Sequence, residues 1–358
     1  MKRFGSAAWN GGLREGKGSV STESRVLETY PYTFFSRYGE KPGTNSEELL
    51  GAAHAACFTM SVVRLLGMVN FDPPAGNPRK EDIMETITTR GVAMPRLGFG
   101  TFRMPGADAQ PVVESAIALG YRHIDTAAMY DNETAVGAAI AASGVNRNEL
   151  FITTKVWHDQ LAPDALYRAF DTSLRKLGLD HVDLYMIHWP SRDMDMAATL
   201  EALMSLRERG LTRAIGVCNF NLPMIRRAVE EIGAPIASLQ VEYHPFLSQA
   251  PMLAYLRGKG IPLTAYAPLA QGRAASDPTL AFLGHKHGCS AAQMAVAWLL
   301  DQEGVIVIPK AARPESQKAN LDALGTQLDD EDRAAIAALP KNHRFVRPPF
   351  APEWDAPG

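Results

Sequence analysis

From Leu97 to Pro309 one pattern repeats: a short apolar run, a segment of helical period, then another apolar run. The runs fall at Leu97–Gly100, Tyr121–Ile124, Phe151–Lys155, Val182–His188, Ala214–Cys218, Ser238–Val241, Pro262–Ala267 and Val305–Pro309. Between most of them lie segments of helical period: Val112–Leu119, Ala135–Ala142, Pro163–Leu177, Ala197–Arg209, Pro223–Glu231, Met252–Lys259 and Ala291–Gln302. Strands joined by helical crossovers pair in parallel, and parallel strands must be covered on both faces. Eight such units over ~250 residues place the chain in the α/β class and predict a closed (β/α)8 TIM barrel. The competing α/β architecture is a doubly wound sheet, which carries Gly-x-Gly-x-x-Gly at its first strand-to-helix turn. Here the first run reads Gly98-Phe99-Gly100-Thr101-Phe102-Arg103, without the third glycine.

The 358 residues leave room for a further piece ahead of the barrel. Val69–Lys80 carries three prolines and reads as a linker. The expected organisation is therefore a first segment over 1–68, a linker over 69–89 and the barrel over 90–358. A composition of 46% hydrophobic and 21% charged residues is that of a soluble globular protein. The net charge of −3 gives no basic footprint, which argues against a nucleic-acid partner. The longest apolar stretches are Ala291–Leu300, broken by Gln293, and the run around Cys57 between His54 and Arg64. Neither reaches the ~20 residues of a membrane helix. The first residues are rich in Gly and Ser with no apolar centre, unlike a secretory signal. Cys57, Cys218 and Cys289 are too scattered for a disulfide framework or a structural zinc. The expectation is a cytoplasmic monomer, with dimerisation through the first segment left open.

Reactive groups of a barrel belong at the C-terminal ends of its strands. Asp125, Lys155, His188, Cys218-Asn219, Gln240 and Tyr266 each close a run, and Lys310 follows the last. Any one of them has a structural explanation, since a strand-end Asp often forms a turn and a lone His is often a satisfied core group. Seven on one face point to a site. No His-Glu-x-x-His, paired Cys-x-x-Cys or dense carboxylate cluster offers a metal seat, and His285-Lys286-His287 reads as a solvated loop. No Gly-x-Ser-x-Gly supplies a nucleophile. What remains is Tyr130 near Lys155, with Asp125 to hold the lysine charged and His188 close by. An ammonium against a phenol favours phenolate, so the Tyr130 pKa is expected to fall below ~10 and make the hydroxyl a proton donor near neutrality. Such an acid–base set contains no group for the hard step, which a cofactor must carry.

At these residues the chain resembles the aldo-keto reductases. The matching strings are LGFGTFRM (97–104), GYRHIDTAAMYDNETAVGAAI (120–140), LFITTKVW (150–157), LDHVDLYMIHWP (179–190), IGVCNF (215–220), LQVEYHPF (239–246), AYAPLAQG (265–272) and IPKAARPESQKANL (308–321). The resemblance runs from about Met94 to the C-terminus and is strongest to the bacterial reductases of 2,5-diketo-gluconate, methylglyoxal and β-keto esters. It implies reduction of a small carbonyl substrate with hydride from NADPH, NADH being possible. The catalytic tetrad falls on Asp125, Tyr130, Lys155 and His188, with Tyr130 as proton donor and His188 orienting the carbonyl. Asn219 and Gln240 fall on the positions that hold the nicotinamide carboxamide, and Tyr266 on the one that stacks against the ring. Leu269 and Gly272 belong to the loop that approaches the pyrophosphate, and Lys310, Arg313 and Asn320 to the adenosine-phosphate site. Phe102, Trp157 and Trp189 map onto the apolar substrate wall, with core packing as the alternative reading of each, equally weighted for Trp189.

The pattern departs from the family at three positions. Cys218 stands where Ser is usual, and a thiol is a weak donor. Ala311 replaces a usual Ser, and Ser316 stands where many members carry an Arg that clamps the 2′-phosphate, which weakens the expected preference for NADPH. Gln317 and Lys318 are candidates to compensate.

Residues 7–24 and 31–60 resemble the first half of an osmotically induced protein C (OsmC) hydroperoxidase, an α+β fold truncated here. Arg37, Glu47 and Cys57 fall on that family's Arg, Glu and peroxidatic Cys, while its second half, with the resolving Cys, is absent. The glycines of Gly11-x4-Gly16-Lys17 resemble a phosphate loop, but Gly18 stands where Ser or Thr is needed. Two other functions stay open at this level: a cofactor-binding regulatory barrel without turnover, and a thiol peroxidase working through Cys57.

Overall fold

The computed structural model describes residues 5–10, 15, 17–22, 30–33 and 85–355. The chain divides into two compact units, Met1–Asn77 and Pro78–Gly358. In the first, β1 (Gly5–Asn10), β2 (Lys17–Thr22) and β3 (Tyr30–Thr33) form an antiparallel sheet in that order. Lys17 opens β2 opposite Asn10 and Thr33, so no helix follows the Gly11–Gly16 stretch as a phosphate loop requires. Arg37, Glu47 and Cys57 lie outside the described residues.

The second unit opens with a hairpin, β4 (Thr86–Thr89) and β5 (Val92–Pro95), paired Thr86 to Pro95 through Thr89 to Val92. Its turn residues Arg90 and Gly91 both have positive φ, 46° and 87°, which matches the twist of a tight hairpin. Thr86–Thr89 were expected within the linker. The Thr-rich, alternating stretch pairs because the Arg90-Gly91 turn brings it back onto Val92–Pro95. Val92 and Met94 bury into a cluster with Phe151, Leu184, Met186, Ala214, Ala237 and Ile306. That cluster also contains Cys218, the last residue of the strand Thr212–Cys218.

Eight parallel strands follow in sequential order. They are β6 (Phe99–Gly100), β7 (His123–Asp125), β8 (Phe151–Val156), β9 (Val182–Ile187), β10 (Thr212–Cys218), β11 (Ile236–Glu242), β12 (Leu263–Tyr266) and β13 (Val305–Val307). The ring closes through a parallel bridge between Leu97 and Val307, with Gly98 N donating to Val307 O at 2.8 Å. A side chain at Gly100 would meet the Ile308 carbonyl oxygen at 2.8 Å, so glycine permits the closing approach.

The helices between strands begin and end where local chemistry dictates. Pro163–Leu177 starts with proline in its first turn and stops at Gly178 in the left-handed conformation, the boundaries expected from sequence. Ala291–Leu300 is opened by a capping box in which Ser290 and Gln293 exchange bonds with each other's backbone. Gln293, the residue that interrupts the apolar run, is thus the helix's N-terminal partner. Three helices lie outside the segments expected from sequence: Pro278–Lys286, Pro314–Asp322 and Asp330–Ala337. The first of these overturns the solvated-loop reading of His285–His287. His285 and Lys286 form its last turn, and Lys286 and His287 pair with Asp332 at 2.9 and 2.7 Å. Among the described residues no helix is long and apolar enough to cross a membrane.

Candidate active site

The strand ends converge as the (β/α)8 pattern requires. Asp125 terminates β7 and Lys155 lies one residue before the end of β8, both wholly or almost wholly buried. Lys155 Nζ donates to Asp125 Oδ1 at 2.5 Å and to the Thr126 carbonyl at 2.8 Å. The second carboxylate oxygen of Asp125 accepts from Gln240 Nε2 at 2.8 Å. Gln240, expected at the nicotinamide, is therefore also a brace of the ion pair. Tyr130 Oη lies 3.5 Å from His188 Nε2, and the two rings meet edge to face at 5.4 Å.

Electrostatics here differ from the sequence expectation in one respect. Burial drives the Tyr130 hydroxyl upward and outweighs the opposing pull of Lys155, leaving its pKa raised to about 12. The expected depression fails because a phenolate loses more by leaving water than the already paired ammonium returns. Tyr130 is accordingly a full proton carrier at neutral pH. Burial works against the charge on Lys155, but Asp125 and Tyr130 more than offset it, and the ammonium is held above its ordinary range. Burial, reinforced by Lys155, pushes His188 well down, so its imidazole is neutral.

Beside this set, Asn219 follows β10 with φ at 61°. Its Nδ2 donates to the His188 carbonyl at 2.9 Å and its Oδ1 accepts from Tyr266 Oη at 2.9 Å. Cys218 turns the other way: its thiol packs on Met186 Sδ at 3.8 Å inside the barrel. Strand alternation explains this, because Cys218 shares the inward face with Ala214.

A cleft of about 710 Å³ opens above these groups, within the range of small-molecule sites. Phe102, Asp125, Tyr130, Trp157, His188 and Trp189 line one part of it. Asn219, Gln240, Tyr266, Leu269, Gly272 and Lys310 line another. Lys155 is wholly buried and does not line the cleft, whereas Asp125 and Tyr130 do. Among the described residues seven non-glycine positions have positive φ, and Arg103, Asn219, Ala267 and Gln271 among them line this cleft. Such local strain concentrates where a scaffold must aim groups at a ligand.

The remaining expected positions sit elsewhere. Arg313 is exposed at the N-terminus of the Pro314–Asp322 helix, and Asn320 is buried beside Tyr121. Neither lines the cleft. Gln317 and Lys318, the candidates to compensate for Ser316, differ in their surroundings. Gln317 is buried and bonded to Ser115 and to the carbonyls of Val112 and Ala311, while Lys318 pairs with Asp322 at 2.6 Å.

The apolar wall joins Trp157, 5.1 Å from the His188 ring, to Phe102, 5.0 Å from that of Tyr130. Trp189 is both buried and part of the wall. Phe350, absent from the sequence-derived set, packs edge-on against Trp157 at 5.7 Å and Trp189 at 5.6 Å. Its contacts span nearly two hundred residues, and no local pattern announces them. Glu242 was also missed, although it is in phase with Gln240 on β11 and so faces the same side.

Comparison with known proteins agrees with this architecture. The aldo/keto reductase family model matches residues 96–341. The chain is 44% identical over 268 residues to methylglyoxal reductase DkgB of Escherichia coli O157:H7, covering 74% of this chain and 100% of that protein. It is 42% identical over 255 residues to glyoxal reductase of Bacillus subtilis strain 168, covering 71% of this chain and 92% of that one. The solved structure of an aldo/keto reductase from Brucella melitensis is similar with a TM-score of 0.68 at 39% identity, over 71% of this chain and 98% of that one. By sequence and by fold, this chain belongs to the aldo/keto reductase family.

Proposed function

We propose that the cleft reduces the carbonyl group of small aldehydes and ketones to an alcohol, with NAD(P)H as the reductant. The observation that carries this is the buried Asp125–Lys155 pair beneath a protonated Tyr130 and a neutral His188, at the floor of an apolar cleft. Methylglyoxal and glyoxal reductases among the relatives support the same class of substrate.

The cleft suits a dinucleotide. Gln271 and Gly272 line the cleft with left-handed backbone, φ 54° and 98°, and Lys310 is an exposed cation at the same cleft. Leu269, Gly272 and Lys310 would hold the phosphates, Tyr266 the nicotinamide ring, and Asn219 with Gln240 its carboxamide. Arg313 and Asn320 are assigned to the adenosine end. Bound there, the cofactor supplies hydride.

The chain's own groups supply the rest. Tyr130 donates its proton to the carbonyl oxygen, and the phenolate left behind is stabilised by the Lys155 ammonium. Asp125 keeps that ammonium charged and aimed. Neutral His188 orients the carbonyl without competing for the proton, and Phe102, Trp157 and Trp189 exclude water. General acid help of this kind contributes about 10²–10⁴-fold. Tyr130→Phe keeps the ring and removes the donor, so kcat should fall by about that factor while NADPH binding, read by fluorescence quenching, persists. Turnover close to wild type in that variant would remove Tyr130 from the mechanism.

A further inference from the structure

Tyr130 stands on a short turn closed by two backbone bonds. Tyr130 N donates to the Ala127 carbonyl at 3.0 Å and Asp131 N to the Ala128 carbonyl at 3.4 Å, and Asp131 leaves the turn with φ at 51°. The loop after β6 faces it and carries Phe102, whose ring packs 5.0 Å from that of Tyr130, and Arg103, with φ at 58°. Phe102 is 45% exposed, so burial alone does not fix its ring.

The side chain of Asn132 joins these two segments. Its Nδ2 donates to the carbonyls of Thr101 at 2.9 Å and Met104 at 3.0 Å, on either side of Phe102 and Arg103. Its Oδ1 accepts from Thr126 Oγ1 at 2.8 Å. Thr126 is the residue whose carbonyl receives Lys155 Nζ, and Thr101 Oγ1 donates to the Asp125 carbonyl at 3.0 Å. The amide thus uses both its donors and its acceptor to tie the Tyr130 turn to the Phe102 loop and to the end of β7. Asn132 is 1% exposed and does not line the cleft.

Local helix chemistry does not account for this amide. Asn132 occupies the N-cap position of the helix Glu133–Ala142, where an asparagine oxygen ordinarily accepts a backbone N–H of the first turn and contributes ~1 kcal/mol. Here the side chain makes no such bond. The helix forgoes its cap, and the amide is committed to the loops that frame Tyr130.

We propose that Asn132 is a positioning residue for Tyr130: it holds the phenol where its proton meets the carbonyl oxygen, with the Phe102 loop braced against the ring, and touches neither substrate nor cofactor. This rests on the carbonyl-reductase reading above and names a further residue on which that reaction depends. Displacing a reacting group by about 1 Å can lower a rate by ~10²-fold. Loss of the three bonds frees the turn and the loop together, so proton donation weakens. Asn219, Gln240 and Tyr266 form no bond with Asn132, so the nicotinamide side of the cleft stays in place.

The test uses the full-length protein with NADPH and 4-nitrobenzaldehyde. It reads the single-turnover rate of NADPH oxidation, since product release can set kcat. In Asn132→Ala that rate should fall about 10–10²-fold, with the NADPH dissociation constant and the number of NADPH sites per chain unchanged. Because Asn132 acts through the Tyr130 hydroxyl, adding Asn132→Ala to Tyr130→Phe should change the residual rate by less than about twofold. Thr126→Val removes only the partner of Oδ1, so a fall of about threefold is expected, again absent from the Tyr130→Phe background. That variant decides the matter if Asn132→Ala does not fold. A rate in Asn132→Ala within about twofold of wild type would overturn the proposal. The same fold loss in the Tyr130→Phe background would place the effect away from Tyr130 and overturn it too. NADPH binding lost in step with the rate would show a general scaffold role and overturn it equally. No reduction of the aldehyde by wild type would overturn the reductase reading as well, whereas reduction that depends on Tyr130 but not on Asn132 overturns this inference alone.

Discussion

Replacing Lys155 by Met removes the ammonium and leaves its partner in place. The two side chains are 0% and 2% exposed, and Lys155 also holds the Thr126 carbonyl at 2.8 Å. After the change Asp125 keeps only the Gln240 amide as a side-chain donor. Breaking a buried pair in this way costs about 3–5 kcal/mol, because the surviving charge is neither solvated nor paired. For a unit of this size each kcal/mol moves the melting midpoint by about 2–4 °C, so a fall of roughly 6–20 °C is expected. Adding Asp125→Asn removes the orphaned charge while keeping an acceptor for Gln240. The double variant should recover to within about 1–2 kcal/mol of wild type. Carbonyl reduction should be lost in both, since neither retains the charge that stabilises the Tyr130 phenolate. Denaturant unfolding and NADPH oxidation, measured on the wild type, both single variants and the double, separate the two effects. The reasoning fails if the double variant is as unstable as Lys155→Met, or if Lys155→Met is as stable as wild type.

Two further outcomes follow from particular residues. Ser316→Arg, in the first turn of the Pro314–Asp322 helix, should raise the kcat/KM ratio of NADPH over NADH by about tenfold, since a charged hydrogen bond contributes ~1.5–3 kcal/mol at best; an unchanged ratio would mean that Lys310 or Arg313 already satisfies the phosphate. Burial alone would raise the Asp332 pKa, but Lys286, the Asp329 N–H and His287 lower it to about 2. The folded value lies below the unfolded one near ~4, so this contribution to stability is complete above ~4 and disappears as the pH falls toward 2. Asp332→Asn should therefore melt lower than wild type at neutral pH, by about 1–3 kcal/mol of stability, with the gap closing in acid; a gap independent of pH would refute the assignment.

The order of elements, the barrel and the identity of the polar strand ends were legible in the residues, because alternation of apolar runs with helical period is local and the barrel places its site at strand ends. Asp125, Lys155, His188, Asn219, Gln240 and Tyr266 could be picked out for that reason alone. The hairpin at Thr86–Pro95 and the helices Pro278–Lys286, Pro314–Asp322 and Asp330–Ala337 were less legible: the first is four residues a side, and the others are short. What only the tertiary structure decided was the balance of energies at the site. Whether Lys155 or burial governs Tyr130 depends on how much water reaches the hydroxyl, a property of the assembled walls and not of either residue. The commitment of Gln317 to the core and the exposure of Arg347 between Glu242 and Phe350 arise in the same way. Each rests on contacts between residues far apart in the chain, and such contacts have no period to read.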